Sequence, residues 1–226
     1  MAKKRSGPSG KRGSYAKGVA KREEILTRAL DVIAREGYRG ASVKEIADAV
    51  GLSQAGLLHY FASKEELFTE VLRKRDEADL AFSGFEAVPA SADVRDIREG
   101  YLSVIRHNAE VPGLVQLFAQ LSVDAADPEH PAHRFFIDRG ALLRSVFADA
   151  LARRFAEGGV APRVPPETLA RIFQAVTDGL QLQWMLEPDL DMAATIDVLF
   201  ELVFTHARAA SDDPPDGRAV REGGAA

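Results

Sequence analysis

The stretch SVKEIADAVGLSQAGLLHYFASKEE, residues 42–66, predicts two short helices and the start of a third. Its first part places apolar residues on one side of a helix, at Val43, Ile46, Ala47 and Val50. Ser42, with Glu45 three residues later, has the spacing of a capping box and therefore marks where this helix begins.

The break after this helix determines how the two helices cross. Gly51 can adopt the left-handed backbone conformation that ends a helix, and Ser53 can cap a second helix at once. Because a three-residue connection is too short for antiparallel packing, the helices must cross steeply, as in a helix-turn-helix. A second capping-box pattern, Ser63 with Glu66, opens a longer helix at Lys64.

The second helix carries a surface of small and hydrogen-bonding residues. These are Gln54, Ala55, Gly56, His59 and Tyr60. Such a surface suits a helix that enters the major groove of DNA, where side chains contact the edges of the bases. Leu52, Leu57 and Phe61 are expected to face inward, and Ala47 is expected to be a close-packing position between the helices.

The sequence GLSQAGLLHYFASKEEL follows SVKEIADAV and a helix ending in AREGYRG, and it resembles the DNA-binding domain of TetR-family transcriptional repressors. The resemblance implies an all-α chain of about nine helices, with a three-helix helix-turn-helix head joined to a larger helical C-terminal domain. It also implies a homodimeric regulator, most simply a repressor. Such a regulator would bind a palindromic double-stranded DNA operator and be released from it by a small-molecule effector.

The resemblance and the helix positions together assign nine DNA contacts. They are Ser42, Lys44, Ser53, Gln54, Ala55, Gly56, His59, Tyr60 and Lys64. Gln54 is expected to read a base, because its amide can form two hydrogen bonds with adenine. The family usually has a tyrosine at the position of Leu58, and leucine cannot donate that hydrogen bond to the DNA backbone. Either His59 or Tyr60 can take its place; alternatively, Tyr60 packs and His59 is merely exposed.

Composition favours a DNA-binding head on an acidic body. Residues 1–75 carry 16 Lys and Arg against 9 Asp and Glu, whereas the whole chain of 226 residues has a net charge of -5. The first 22 residues hold eight basic residues and no acidic one, which are Lys3, Lys4, Arg5, Lys11, Arg12, Lys17, Lys21 and Arg22. Such a basic segment can neutralise DNA phosphates. For Lys44 a solvated surface charge is an equal alternative.

The expected organisation has four parts: a disordered basic arm at 1–17, the helix-turn-helix domain at 18–77, an effector-binding and dimerisation domain at 78–209, and a disordered tail at 210–226. There is no cysteine and no apolar run long enough for a membrane span. The basic N-terminus lacks the apolar stretch of a secretory signal. We therefore expect a cytoplasmic bacterial protein, nucleoid-associated when bound to DNA, with no membrane partner and no cofactor.

The last two predicted helices, 166–186 and 191–209, resemble those through which TetR-like proteins dimerise. The last helix is apolar around most of its circumference, which indicates burial on more than one side. The expected dimer-interface residues are Leu180, Leu199, Phe200 and Val203.

An effector site in the C-terminal domain is implied by the resemblance. Its candidate residues are Phe118, Leu121, Phe136, Gln181 and Trp184. For each of them the alternative is that it packs in the hydrophobic core and contacts no ligand.

Three alternatives compete with this interpretation. His130 and His133, near Asp127 and Glu129, could suggest a metal site, but prolines on either side of His130 remove the helical spacing of a metal pair. A DNA-binding protein without an effector, constitutive or architectural, is a second alternative. A helical enzyme with an appended head is a third, although no converging set of ionisable groups supports it.

Overall fold

The computed structural model describes residues 10–83, 94–157 and 164–209, and within them the chain forms nine α-helices and no strand. The helices are α1 (Gly10–Gly40), α2 (Val43–Ala49), α3 (Gln54–Leu57), α4 (Lys64–Ser83), α5 (Val94–Glu110), α6 (Pro112–Asp124), α7 (His133–Glu157), α8 (Pro166–Leu186) and α9 (Met192–Ala209). The all-α prediction is confirmed. The helices α8 and α9 begin and end within one residue of their predicted bounds.

The first helix begins earlier than the sequence predicts. It starts at Gly10 and not near Gly18, so residues 10–17, predicted to be disordered, are helical. No proline interrupts the chain between Pro8 and the end of α1, and its Lys, Arg and Ala residues are good helix formers. The glycines in this segment weaken the helix without stopping it. Residues 1–9 of the predicted arm and the predicted tail at 210–226 lie outside the described residues.

Two glycines interrupt the helices of the head, Gly37 and, as predicted, Gly51. Gly37 has a φ of 71° and breaks the regular course of α1, while Gly51 has a φ of 68° between α2 and α3. Both angles lie in the left-handed region, which residues with a Cβ rarely adopt. The chain can therefore turn sharply enough for α2 to pack on α1 and for α3 to cross α2.

The first core cluster joins the head to α6 and to the start of α7. It contains the apolar faces of α1 to α4, including Ile25, Ile46, Leu57 and Phe61, together with Leu117 of α6. The core predictions for Leu57, Phe61 and Ala47 are confirmed, and Leu52 packs against the same cluster while partly buried. Because α6 shares this core, a displacement of α6 must also disturb the head.

The contact between α6 and α1 is a direct backbone contact at Gly113. A Cβ atom added at Gly113 would lie 2.3 Å from the carbonyl oxygen of Ile33 and 2.9 Å from the Cα atom of Gly37. No side chain fits that space, so only glycine allows α6 to approach α1 this closely.

A second core cluster holds α5, α7, α8 and α9 together with part of α6. Its centre is a group of aromatic rings from four helices, Tyr101, Phe147, Phe173 and Phe200, whose centroids lie 4.5 to 6.1 Å apart. Rings at these distances and tilts pack in the edge-to-face and offset arrangements that aromatic side chains prefer. Within the described ranges, every helix is too short or too polar to span a bilayer.

Candidate functional site

The caps predicted around the helix-turn-helix are formed in the head. Ser42 Oγ accepts a hydrogen bond from the Glu45 amide at 3.2 Å, and the Glu45 carboxylate accepts one from the Ser42 amide at 2.7 Å. These hydrogen bonds to the ionised form lower the pKa of Glu45. The Ser53 hydroxyl accepts from the Gly56 amide at 3.0 Å and so fixes the first turn of α3.

The cap of α4 differs in one detail from the predicted capping box. The Ser63 hydroxyl accepts from the Glu66 amide at 3.0 Å, as in a capping box. The Glu66 carboxylate, however, accepts from the amide of Ala62 at 2.6 Å and not from that of Ser63. This hydrogen bond, one residue earlier than in a capping box, connects the turn after α3 to the start of α4.

None of the nine predicted DNA contacts is buried. Six of them are exposed, namely Lys44, Ser53, Gln54, Ala55, His59 and Lys64, and three are half-buried, namely Ser42, Gly56 and Tyr60. They lie on the first turn of α2, along α3 and the turn after it, and at the first residue of α4. Leu58 is also exposed, at the end of α3. The helical hydrogen bonds of α3 continue to the amide of His59, so its exposed surface is about two turns long.

The two aromatic residues after α3 differ in their surroundings. Tyr60 packs against the first core cluster, whereas His59 is exposed with its ring centroid 5.9 Å from that of Tyr60. The ammonium group of Lys64 lies 5.2 Å from the ring centroid of Phe68. This contact positions the Lys64 side chain at the start of α4 while leaving its charge exposed.

Two basic residues of the N-terminal segment bind within the fold. Arg22 Nη1 donates to the carbonyl of Tyr60 at 2.6 Å, and its guanidinium lies 4.2 Å from the ring centroid of Phe61. Lys21 Nζ donates to the carbonyl of Val50 at 3.0 Å, at the end of α2. Sequence reasoning counted both residues among the basic charges available to DNA. Backbone carbonyl groups at helix ends need hydrogen-bond donors. The sequence pattern alone does not show which distant side chain donates to them.

A cavity of about 520 Å³ lies between α4, α5, α6, α7 and α8. Of the five predicted effector residues, Phe118 and Gln181 line it. Leu121 and Phe136 instead pack in or against the first core cluster, and Trp184 is buried in the second. These three residues therefore belong to ordinary core packing and do not line the cavity.

The wall on the α4 side is charged but internally paired. Arg75 is buried, lies 3.3 Å from the carboxylate of Asp79, and hydrogen-bonds to Asn108 of α5. Burial lowers the pKa of Arg75 and raises that of Asp79, because each would lose hydration as an ion. Arg139 of α7 donates to Asp76 at 2.7 Å. These pairs connect α4 to the helices of the C-terminal domain.

The wall on the α8 side carries the polar stripe of Gln174, Asp178 and Gln181, together with Thr177. Thr177 and the buried hydroxyl of Tyr101 share a hydrogen bond of 2.8 Å, and burial raises the pKa of Tyr101 to about 12. Burial also raises the pKa of Asp178. The sequence shows the helical spacing of these polar residues. It does not show that they face a cavity, because a solvent-exposed helix face has the same pattern.

The predicted dimer-interface residues divide into two groups. Leu180 and Phe200 are buried in the second core cluster of the single chain, and their contact with a partner chain stays a prediction. Leu199 and Val203 are partly buried against the same cluster. The large apolar side chains exposed on α8 are others: Ile172, Leu182 and Leu186. On α9, Val198 is 53% exposed.

The two histidines considered for a metal site serve as backbone partners. His130 Nδ1 accepts from the amide of Ala132 at 3.1 Å, and His133 Nδ1 lies 2.8 Å from the carbonyl oxygen of Ala125. In the part of the chain that the structure describes, no group of three or more His, Asp or Glu residues could hold a metal ion.

Comparisons with known proteins agree with this geometry. The sequence model of the family described as bacterial regulatory proteins, tetR family, matches residues 25–71. The HTH-type transcriptional repressor AcnR of Corynebacterium efficiens is 30% identical over 167 residues, which span 72% of this chain and 81% of that protein. The HTH-type transcriptional repressor KstR2 of Mycobacterium tuberculosis is 27% identical over 164 residues, which span 70% of this chain and 78% of that protein.

Solved structures share the fold. A transcriptional regulator from Rhodococcus sp. Rha1 superposes with a TM-score of 0.65 at 23% identity, covering 82% of this chain and 97% of that one. FadR of Thermus thermophilus, a TetR-family repressor solved in complex with lauroyl-CoA, gives 0.58 at 18% identity, covering 91% and 98%. The head geometry and the match along most of AcnR lead to one conclusion: this chain belongs to the TetR family of bacterial regulatory proteins and is a DNA-binding transcriptional regulator.

Proposed function

We propose that this regulator is a repressor that binds a palindromic operator as a homodimer and releases it when a small molecule occupies the cavity between α4 and α8. The main observation in support of the proposal is that one helix, α4, extends from the end of α3 to the cavity. The helix α4 begins at Lys64, beside the predicted DNA contacts, and its residues Arg75 and Asp79 line the cavity. Along the helix axis, Arg75 is about 16 Å and Asp79 about 22 Å from Lys64.

The operator-binding role is assigned to the exposed surface of α3 and its flanking helix starts. Gln54 and Ala55 are exposed in the first turn of α3, which the Ser53 cap and the Arg22 contact with Tyr60 hold in place. In helix-turn-helix proteins this turn reaches the base edges in the major groove. Lys44 and Lys64 flank it and can neutralise phosphates. Such a protein acts where the chromosome is, so we place it in the bacterial cytoplasm.

The dimer role is assigned to the outer face of α8 with α9. Exposed or half-exposed small and apolar residues recur on α8 at Ile172, Ala175, Gly179, Leu182 and Leu186, with spacings of three and four residues. This is the repeat by which two helices form a continuous apolar seam. Leu182 and Leu186 are 53% and 84% exposed in the single chain. A second copy of the same face would cover them in a two-fold symmetric contact.

Release of the operator follows from the shared packing of α4 and α6. Both helices contribute to the cavity wall, and both belong to the core cluster that supports α1 to α3. A ligand that prefers one arrangement of these helices would shift the distance between the two heads of a dimer. Ligand-bound FadR, which has the same fold, gives a precedent for a regulator of this architecture that holds a small molecule.

The test is a selection from random double-stranded DNA with the full-length protein, followed by sedimentation of the protein with the selected DNA. We expect a two-fold symmetric site whose half-sites are about 34–36 Å apart, bound by protein dimers. An unsymmetrical selected site bound by one chain, or no selected sequence, would contradict the proposal. Titrating candidate metabolites into the complex then separates an effector-responsive repressor from one that binds constitutively.

A further inference from the structure

The α8 wall of the cavity holds two polar side chains, Asp178 and Gln181, that form no hydrogen bond or ion pair with the described residues. Gln181 is 8% exposed, lines the cavity, and its amide forms no hydrogen bond within the described ranges. Asp178 lies three residues earlier on α8 and lines the cavity too, and no cation of the described residues lies within 4.0 Å of its carboxylate. An amide in a cavity wall that forms no hydrogen bond with the protein is free to donate to or accept from a bound ligand.

The other carboxylates of the cavity differ from Asp178 because each has a cationic partner. The pairs are Asp76 with Arg139 at 2.7 Å, Glu77 with Lys74 at 3.5 Å, Asp79 with Arg75 at 3.3 Å, and Asp138 with Arg134 at 2.8 Å. Asp178 is therefore the lining carboxylate whose charge is left for a ligand in the described part of the cavity. Burial raises the pKa of Asp178, as expected for a desolvated carboxylate, while Arg139 acts in the opposite direction.

Among the lining cations, Arg144 has no carboxylate partner in the described residues, and it could attract an anion. Its Nη1 group, however, donates to the side-chain oxygen of Gln174 at 2.9 Å, and the residue is half-exposed. Its guanidinium therefore has a protein partner, whereas the Asp178 carboxylate forms no hydrogen bond or ion pair with the described residues. The electrostatics of the wall thus favour a ligand cation over a ligand anion.

The remaining walls are mostly apolar and aromatic. They include Tyr101, Phe118, Phe135 and Phe147, and aliphatic side chains from α5 and α7. Aromatic faces attract organic cations, and a cavity of about 520 Å³ has the size of a site for a drug-sized molecule. We infer that the effector, whose existence rests on the function proposed above, is a largely apolar molecule carrying a protonated amine. Its ammonium group is held by Asp178 with Gln181 beside it, and its apolar body fills the aromatic end.

The test uses three probes that share one skeleton and differ in the head group: phenylhexylamine, phenylhexanol and phenylhexanoate. Each is titrated calorimetrically into the full-length protein, and the comparison needs no variant. We expect the amine to bind at least about tenfold more tightly than the alcohol and the carboxylate. Tightest binding of the carboxylate would identify Arg144 as the anchor and overturn the inference, as would the absence of binding by the amine.

The variant Asp178→Asn then locates the ammonium group. It should reduce amine affinity by about tenfold or more and leave the affinity for the alcohol within about threefold. Asp149→Asn, the same change at an exposed carboxylate of α7 that does not line the cavity, is the control and should leave amine binding unaltered. Circular dichroism verifies that both variants fold. Unaltered amine binding by Asp178→Asn would exclude this carboxylate as the anchor.

A parallel measurement with fluorescent operator DNA separates this inference from the proposed function. If the amine binds through Asp178 but leaves the operator complex intact, the ligand class stands and the proposed release mechanism fails. If phenylhexanoate releases the operator and the amine does not, the mechanism stands and the inferred class fails.

Discussion

Replacing Arg22 with methionine tests whether this residue stabilises the head. From its position in the basic N-terminal segment, the sequence would instead predict that Arg22 contacts DNA. The Arg22 guanidinium donates to the Tyr60 carbonyl, lies over the Phe61 ring, and has the carboxylates of Glu66 and Glu70 at 3.4 and 3.3 Å. It therefore links α1 to the turn after α3 and to α4. Methionine keeps the apolar stem and removes all of these polar contacts.

The size of the effect follows from those contacts. A hydrogen bond to a charged group contributes about 1.5–3 kcal/mol. The position over the ring adds about 0.5–1 kcal/mol. The two ion pairs are about one-third exposed at Arg22, so solvent screening limits each to about 0–1 kcal/mol. Because these contributions overlap, we expect Arg22→Met to lower the free energy of unfolding by ~2–4 kcal/mol.

The assay is urea unfolding followed by circular dichroism, together with DNA binding at several salt concentrations. Arg28→Met is the matched control on the same helix, since Arg28 is exposed and pairs only with Asp31 among the described residues. It should change stability by about 0.5 kcal/mol or less. Arg22→Met should weaken operator binding with the salt dependence unaltered. Full stability together with a salt slope reduced by about one unit would show that Arg22 contacts a phosphate, which would refute the reasoning.

Three further predictions concern the rest of the chain. Gly113→Ala places a methyl group 2.3 Å from the Ile33 carbonyl oxygen, so it should lower thermal stability and operator affinity together; an unaltered melting temperature would contradict the tight junction. Val198→Glu should raise the dimer dissociation constant at least about tenfold in sedimentation while the chain stays folded, whereas Val203→Glu, in a half-buried position against the core, should unfold it. Arg98 holds Asp197 and lowers its pKa, so the pair stabilises the protein above the unfolded pKa of about 4 and is lost as pH falls through the lower folded value. Asp197→Asn should therefore lower the melting temperature at pH 7, and the difference from the unaltered protein should shrink as the pH falls below about 4.

The head was predictable because its determinants are local. A capping box such as Ser42 with Glu45 spans three residues, and the break at Gly51 needs only one residue with a positive φ. Such signals are complete within a few positions of sequence. The extra residues of α1 before Gly18 were missed because composition describes a polar, glycine-rich segment as disordered while helix propensity still allows a helix there.

The cavity and the outer face of α8 were less predictable because they depend on tertiary contacts. Leu180 and Leu182 are both apolar and two positions apart, yet one is buried in the core and the other is 53% exposed. Which side of a helix faces the core depends on the rotation of the helix against its neighbours, which periodicity does not give when apolar residues surround it. In the same way, Asp178 was visible as part of a polar stripe but not as a cavity residue.

The most direct test of operator reading by α3 compares Gln54→Ala with Lys64→Ala in selections from random DNA. Gln54→Ala should relax the preference at one or two positions in each half-site and cost ~1–3 kcal/mol on the original operator. Lys64→Ala should weaken binding to all sequences alike, with a salt slope smaller by about one unit and an unaltered motif. A motif that is the same for Gln54→Ala as for the unaltered protein would contradict the assignment of base reading to the first turn of α3.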